Sequence, residues 1–547
     1  MTWMSPLCSL GAADAGADRD AAVSSPLLPL PAAAAGERRT SPGGGGGGST
    51  SPGGSPGWRP PADVSVEAGI PAERALKYGG PCVADLDGDG WADAVLLNHH
   101  RSPTRVLWGG PGGRLAPGPD LHPASADVHG VTAAVLSGGD GGGGGGGVGR
   151  MTVVVARGGG WGHAPRAPWV LRPRDDRSWE HLEGGAGLQG AAARGRSPRL
   201  LDPTGGGVPE LLLINYRGRG ARSPGADRQL LYTPAAGGGD GSVGRAAAAG
   251  GAAAGRGGGG PVWARRRGSG FEGAAAEAAV VVTLPDGASG LVTFPWLRFW
   301  ATRANGTFAD VTAAVMGTDA AAAALSPVAG VAAVHWGDRG GGEGGGGDDA
   351  AGADRGAAPD LYLTRSAGRP DVLLAATRGG RYTDASTAAG VAGAVTASGA
   401  RGVAVADYNN DGEEDVYVVA TASPRTADTL LLGTGRGRPF RVTRVAVAAP
   451  LIGDGDDDGG SGGGGGGGGR NGSAAAAAAT TPRGGAPGDV APGDGVAALD
   501  ADADGWVDVL LGDGDQDEVA RAGVWRLLRN TPPSSPPPAR SGYLARQ

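Results

Sequence analysis

Three short stretches hold the densest chemistry in the chain: DLDGDGWAD from Asp85 to Asp93, DYNNDGEED from Asp407 to Asp415, and DADADGWVD from Asp500 to Asp508. In each, oxygen-bearing side chains stand at positions one, three, five and nine, with glycine at six. Alternate residues of a tight turn point inward, so three side chains converge on one point. The carbonyl of position seven and the carboxylate of position nine complete a shell of hard oxygen donors, which is the spacing of a calcium loop. The candidate ligands are Asp85, Asp87, Asp89, Trp91 and Asp93 in the first loop, and Asp407, Asn409, Asp411, Glu413 and Asp415 in the second. In the third they are Asp500, Asp502, Asp504, Trp506 and Asp508. Trp91, Glu413 and Trp506 would contribute only their backbone oxygen. Gly90, Gly412 and Gly505 permit the positive φ that wraps the backbone, and Gly88 reads as an extra glycine. Without a cation the crowded carboxylates must take up protons at raised pKa or splay apart.

The elements around these loops are strands. An EF-hand would place a glutamate at position twelve and helices on both sides; here position twelve is Leu96, Val418 or Leu511. The flanks are short apolar runs rich in β-branched residues, such as Gly402 to Ala406 and Val416 to Val419, so each loop joins two strands of a hairpin. The unit extends as strand, acidic loop, strand, turn, third strand, with Arg105 to Trp108 and Val524 to Leu528 as third strands. Weaker units keep the strands and lose the ligands. These run through Gly130 to Leu136 with Met151 to Val155, through Asp202 to Ile214, and through Val331 to Trp336 with Pro359 to Leu363. No tight ion is expected in any of the three. A further hairpin, Val280 to Leu284 and Gly290 to Phe294 around Pro285-Asp286-Gly287, raises the count from six units to seven. Phrases also echo along the chain: Asp63-Val64-Ser65, Asp310-Val311-Thr312 and Asp384-Ala385-Ser386 mark an internal repeat. Small sheets repeated around an axis make an all-β, seven-bladed β-propeller, with six blades as the alternative count.

Composition sets the boundaries. The chain has 547 residues with 112 Gly, 41 Pro, 5% aromatic residues and a formal net charge of −7. Residues 1–61 read as a disordered leader, 62–531 as the propeller and 532–547 as a disordered tail. Low-complexity inserts fall near 138–149, 237–260, 340–356 and 453–488. Lys77 is the single lysine, and there is no basic stripe with interleaved aromatics, so nucleic acid is not an expected partner. Arg265-Arg266-Arg267 reads as a solvated loop. No run of eighteen apolar residues offers a membrane span, and Leu27 to Pro31 makes a poor secretory signal. Cys8 and Cys82 are the only cysteines, and Cys82, at the head of an apolar strand, reads as a buried free thiol.

The stretches VADLDGDGWADAVLLN, VAVADYNNDGEEDVYVV and AALDADADGWVDVLLGDG resemble FG-GAP/VCBS repeats, the blades of integrin-α-like propellers. Together with DVSVEAGI and LLLINYRG they make Asp63 to Asn530 similar to the extracellular cartilage acidic protein family. The resemblance implies seven blades, secretion or surface display, and Ca2+ held in hairpin loops on one face, with partner binding elsewhere. Carried residue by residue, it assigns ligands only to the three intact loops.

Catalytic signatures are missing. Lys77 is followed by Tyr78, so no P-loop exists. Ser55 and Ser461 match a nucleophile-elbow pattern only inside low-complexity runs, where no strand precedes and no helix follows. His99, His100 and His335 do not cluster and read as surface or packing residues. Asn305 and Asn471 fit the N-glycosylation acceptor. The expectation is a non-enzymatic, monomeric, calcium-binding scaffold for recognition or adhesion, at the cell surface or outside it, with a protein or glycan ligand. The alternative is the propeller module of an enzyme, hydrolytic or lectin-like, with a glycan-directed site at the axis.

Overall fold

The computed structural model describes residues 58–71, 74–75, 80–97, 104–121, 128–135, 151–158, 166–182, 188, 194–202, 209–215, 229–234, 263–337, 358–365, 369–392, 400–420, 427–445, 495–512 and 523–532. The leader before Trp58, the four glycine-rich inserts and the residues after 532 lie outside them, as do Cys8, Lys77, His99, His100 and Asn471.

The described strands form seven antiparallel sheets, six of them built from four consecutive strands and the seventh joining the two ends of the chain. Blade 1 is Cys82–Ala84, Asp93–Leu96, Arg105–Gly110 and Arg114–Pro117. Blade 2 is Val128–Val135, Met151–Arg157, Trp169–Pro173 and Trp179–His181. Blade 3 is Gly195–Leu201, Glu210–Asn215, Leu230–Pro234 and Trp263–Arg266. Blade 4, the hairpin that decides between six and seven, is Ala278–Thr283, Ser289–Phe294, Arg298–Thr302 and Phe308–Asp310. Blade 5 is Val328–Val334, Asp360–Arg365, Val372–Ala376 and Tyr382–Asp384. Blade 6 is Ala400–Ala406, Asp415–Ala420, Asp428–Leu432 and Arg441–Val445. Blade 7 takes Val496–Leu499, Asp508–Gly512 and Gly523–Arg529 from the end of the chain, and its fourth strand, Ala62–Asp63, from the beginning. First strands of neighbouring blades touch all the way round, so they line the axis and the ring is closed.

The apolar runs in the second strands are continuous because each sheet is buried on both faces. Ala94 and Leu96 pack against Leu499, Leu510 and Leu527 of blade 7, while Val95 and Leu97 pack against Val131, Val153 and Val155 of blade 2. The same sandwiching recurs at every blade junction, giving seven apolar clusters and no single central core.

The echoing phrases are fourth-strand terminators. Asp63, Asp310 and Asp384 each accept on Oδ1 from the backbone N–H two residues on, at 3.0, 2.9 and 2.9 Å. The hydroxyl of that second residue then accepts from the third strand: Leu527 N donates to Ser65 Oγ, Phe299 N to Thr312 Oγ1 and Leu373 N to Ser386 Oγ, each at 3.0 Å. Asp63 therefore ends a blade as Asp310 and Asp384 do, and the blade it ends is the seventh. Arg526 secures that joint with a 2.6 Å ion pair to Asp63.

Two sequence expectations need correction. The arginine triplet is solvated at Arg265 and Arg267, but it is not all loop: Trp263–Arg266 is the outer strand of blade 3, and Arg266 pairs with Glu210 at 3.0 Å because that buried carboxylate needs a counter-charge. Cys82 is buried and disulfide-bonded, so it is not a free thiol.

Candidate metal centres

All three acidic loops connect the first strand of a blade to its second, and all three fold alike. Position one accepts from the loop it opens: Asp85 from the N–H groups of Gly88 and Gly90, at 2.8 and 3.0 Å. Asp407 does the same for Asp411 and Gly412, at 3.0 and 2.8 Å. Asp500 does it for Asp504 and Gly505, at 3.1 and 3.0 Å. Position three accepts from the N–H of position five, and position five from that of position seven. These bonds turn successive side chains to the same side. Carboxylate oxygens of Asp85, Asp87 and Asp89 lie within 4.8 Å of one another, as do those of Asp500, Asp502 and Asp504. In the loop of blade 6 the corresponding trio is Asp407, Asn409 and Asp411.

Position four, not only position six, is left-handed. Gly88, Asn410 and Ala503 have φ of 81°, 54° and 56°, so Gly88 fills a left-handed position of the turn and is not an extra. Asparagine tolerates this region; alanine occupies it at a cost of about 1–2 kcal/mol.

Position nine heads the second strand and is fully buried in every case: Asp93, Asp415 and Asp508 are 0% exposed. Each carboxylate bridges the loop to the third strand's end. Asp93 accepts from Leu86 N and Gly109 N, both at 2.7 Å. Asp415 accepts from Tyr408 N at 2.8 Å and Gly433 N at 2.7 Å, and Asp508 from Ala501 N at 3.0 Å and Asn530 N at 2.8 Å. Blade 5 keeps this staple although its loop does not repeat the calcium-loop spacing. Asp360 accepts from Trp336 N, Gly337 N and Ala376 N at 3.0, 2.6 and 2.8 Å. Asp360 carries no ligand role in the sequence pattern; its place at the head of a continuous apolar strand, as in Asp93 and Asp415, is the signal for the staple.

Burial dominates the electrostatics. It raises Asp93 to about 7, Asp407 to about 6, Asp504 to about 6 and Asp508 to about 8, and holds Asp415 well above the usual carboxylate range. Neighbouring carboxylates push the same way while the backbone N–H groups oppose. Asp85, Asp500 and Glu413 are raised for the same first reason. These loops therefore carry more negative charge than their surroundings stabilise, and their donors are hard oxygens at converging positions, which fits a hard divalent cation.

Two arginines that the sequence reading missed reach into the loops. Arg177, in the outer turn of blade 2, spans two carboxylates of blade 1: Nε to Asp87 Oδ2 at 2.7 Å and a terminal nitrogen to Asp89 Oδ2 at 3.0 Å. Arg529 meets Asp502 Oδ2 at 3.4 Å and donates to Gly113 O of blade 1 at 3.1 Å. A Cβ at Gly113 would fall 2.0 Å from that guanidinium and displace it, and the φ of 70° there favours glycine. Ring closure makes blades 6, 7 and 1 neighbours, so the three loops form one acidic sector on one face.

Other candidates resolve simply. His335 is exposed, its backbone N–H and ring nitrogen both on Glu414 at 2.7 and 3.1 Å. Asn305 is exposed at the outer turn of blade 4. No helix among the described residues is long and apolar enough to cross a membrane.

By its strand pairing, the chain is a seven-bladed β-propeller. No family model and no curated protein matches its sequence. Among solved structures it is similar to an Agrocybe aegerita lectin that recognises non-reducing terminal N-acetylglucosamine, at 13% identity over 66% of this chain and 79% of that one, with a TM-score of 0.36. It is also similar to the Photorhabdus luminescens Tc holotoxin pore (12% identity, 81% of this chain and 18% of that one, TM-score 0.24). A third is a biofilm matrix protein of V. cholerae (10% identity, 84% and 78%, TM-score 0.26). Superpositions this loose carry no functional information.

Proposed function

We propose that this chain is a non-enzymatic recognition or adhesion scaffold, displayed outside the cell, whose propeller is stabilised by Ca2+ in the loops of blades 1, 6 and 7. The observation that carries the reading is the common hydrogen-bond pattern of the three loops, which turns Asp85, Asp87 and Asp89, and their counterparts, toward one point. Bound calcium would supply positive charge to carboxylates that burial otherwise drives to take up protons. Position nine would then serve twice, holding the backbone with one lone pair of each oxygen and facing the loop with the other. The likeness to FG-GAP/VCBS repeats and to the cartilage acidic protein family supports the same assignment, and with it a partner, protein or glycan, that binds elsewhere on the ring.

Extracellular calcium modules bind at about 10⁻⁴ to 10⁻³ M. At about tenfold excess over Kd each site adds about 1.4 kcal/mol, so three add about 4 kcal/mol. Melting followed by calorimetry with millimolar calcium and with chelator tests this. A rise of several degrees with calcium is expected; identical melting in both would overturn the assignment.

A further inference from the structure

We infer that Arg177 sets the calcium affinity of the blade 1 loop from outside it, as a fixed counter-charge delivered by the neighbouring blade. The inference rests on the calcium reading of that loop. Its guanidinium forks across the outer oxygens of positions three and five, at 2.7 Å from Asp87 and 3.0 Å from Asp89. It is held there from behind: its carbon stands 5.2 Å from the centroid of Trp108, which is itself stacked on Trp179 at 5.8 Å. The loop of blade 6 obtains the equivalent donor internally, since Asn409 Nδ2 donates to Asp411 Oδ2 at 3.0 Å. A guanidinium across two ligand carboxylates therefore does for the first loop what an amide at position three does for the second, with a full positive charge added.

The backbone beneath Arg177 points the same way. Its turn is closed by Arg177 N to Arg174 O and Arg174 N to Ser178 O, both at 2.8 Å. Matching turns close through Gly287 N to Leu284 O, Gly306 N to Arg303 O and Gly380 N to Thr377 O. The equivalent φ values are 85°, 72° and 74° on glycine, and 61° on Arg177. An arginine in the left-handed region carries strain that a glycine would avoid. The strained position is the one whose side chain reaches Asp87 and Asp89.

Two consequences follow for the loop. A cation fixed beside positions three and five repels a second cation sharing those carboxylates, so it weakens calcium binding. In the absence of calcium it also offsets the mutual repulsion of Asp85, Asp87 and Asp89 and keeps the loop folded. The first loop is thus the least calcium-dependent of those it would otherwise resemble, and blade 2 is tied to blade 1 through it.

The test compares the full chain with Arg177→Asn, Arg177→Lys and Arg174→Asn. Asparagine tolerates the left-handed turn, lysine keeps the charge, and Arg174→Asn removes an exposed charge from the same turn without touching the loop. Each variant is melted with chelator and with millimolar calcium, and calcium titrations are read by calorimetry and by Tb³⁺ luminescence sensitised through Trp91. Arg177→Asn is expected to tighten one site by about tenfold, the effect of a unit charge a few ångströms from a divalent ion near a surface. It should also widen the gap between the two melting temperatures, while Arg177→Lys and Arg174→Asn leave that gap near the parent's. An unchanged gap and affinity in Arg177→Asn, with the parent still responding to calcium, overturns the role of Arg177 alone. No calcium response in parent or variant overturns both readings. A response only in Arg177→Asn overturns calcium loading of all three loops in the parent and upholds the counter-charge.

Discussion

Replacing Asp360 with alanine separates the staple from the ion. Asp360 heads the second strand of a blade whose loop does not repeat the calcium-loop spacing, and its carboxylate still receives three backbone N–H groups at 2.6 to 3.0 Å. Alanine leaves all three without an acceptor. A buried orphaned donor costs about 1–3 kcal/mol; the Trp336 N–H is buried and the other two are partly so, which gives about 3–5 kcal/mol in all. That is a large part of the ~5–15 kcal/mol of a typical domain. Urea unfolding followed by tryptophan fluorescence should show this loss equally in calcium and in chelator. Asp508→Ala should behave differently: it removes the acceptor of Ala501 N and Asn530 N and also a candidate ligand, so its loss should be larger in calcium than in chelator. A loss below about 1 kcal/mol for Asp360→Ala, or one that depends on calcium, would refute the reasoning, because the staple would then be worth less than one ordinary hydrogen bond.

Three further outcomes follow from the geometry. Carboxyls raised by burial, such as Asp93 at about 7 and Asp508 at about 8, bind protons in the folded chain that the unfolded chain has lost above about pH 4. In chelator, stability should therefore fall as pH rises from about 4 to 8, and the melting gain from calcium should be larger at pH 7.5 than at pH 5.5, with protons released on binding; calorimetric heats independent of buffer ionisation would contradict this. Asp63→Ala removes the 2.6 Å pair with Arg526 and the Ser65 N–H bond, and should lower stability by about 2–3 kcal/mol in urea unfolding, since the pair it breaks is largely buried on the Arg526 side. Ala503→Gly relieves a φ of 56° with open space around it and should raise stability by about 0.5–1 kcal/mol; a lower melting temperature would show that the loop is not left-handed there.

The sequence made the hairpin loops and their strand flanks legible because both signals are local: oxygen at alternate positions, then an apolar run buried on both faces. Blade 4 was legible from Pro285-Asp286-Gly287 between two apolar runs. The fourth strands were not, since Arg114–Pro117, Trp179–His181 and Tyr382–Asp384 are short, half-exposed edges with no clear alternation. The Asp-x-Ser/Thr echo was visible but its meaning needed the third strand, because the hydroxyl's partner lies 13 residues back in blades 4 and 5 and 462 residues away in blade 7. Arg177 was invisible for a related reason: it acts 90 positions from Asp87, across a blade boundary. Trp58, assigned to the leader, donates its indole N–H to Tyr408 O and Asn530 Oδ1 at 3.1 Å, a contact that exists only once the ring is shut.

That shutting has a consequence for synthesis. A ribosome releases Asp63 long before Arg526, which follows 463 residues later, so the clasp emerges first and must wait for the edge it fastens. Pairing across such a distance is slow, and an open edge is exposed to association with other chains meanwhile. The acidic sector straddles this seam, with loops on the blades at and beside the join. A chain completed where calcium is scarce would be weakest where its two ends meet, and a calcium-rich compartment would lock the circle at the moment it could still come undone.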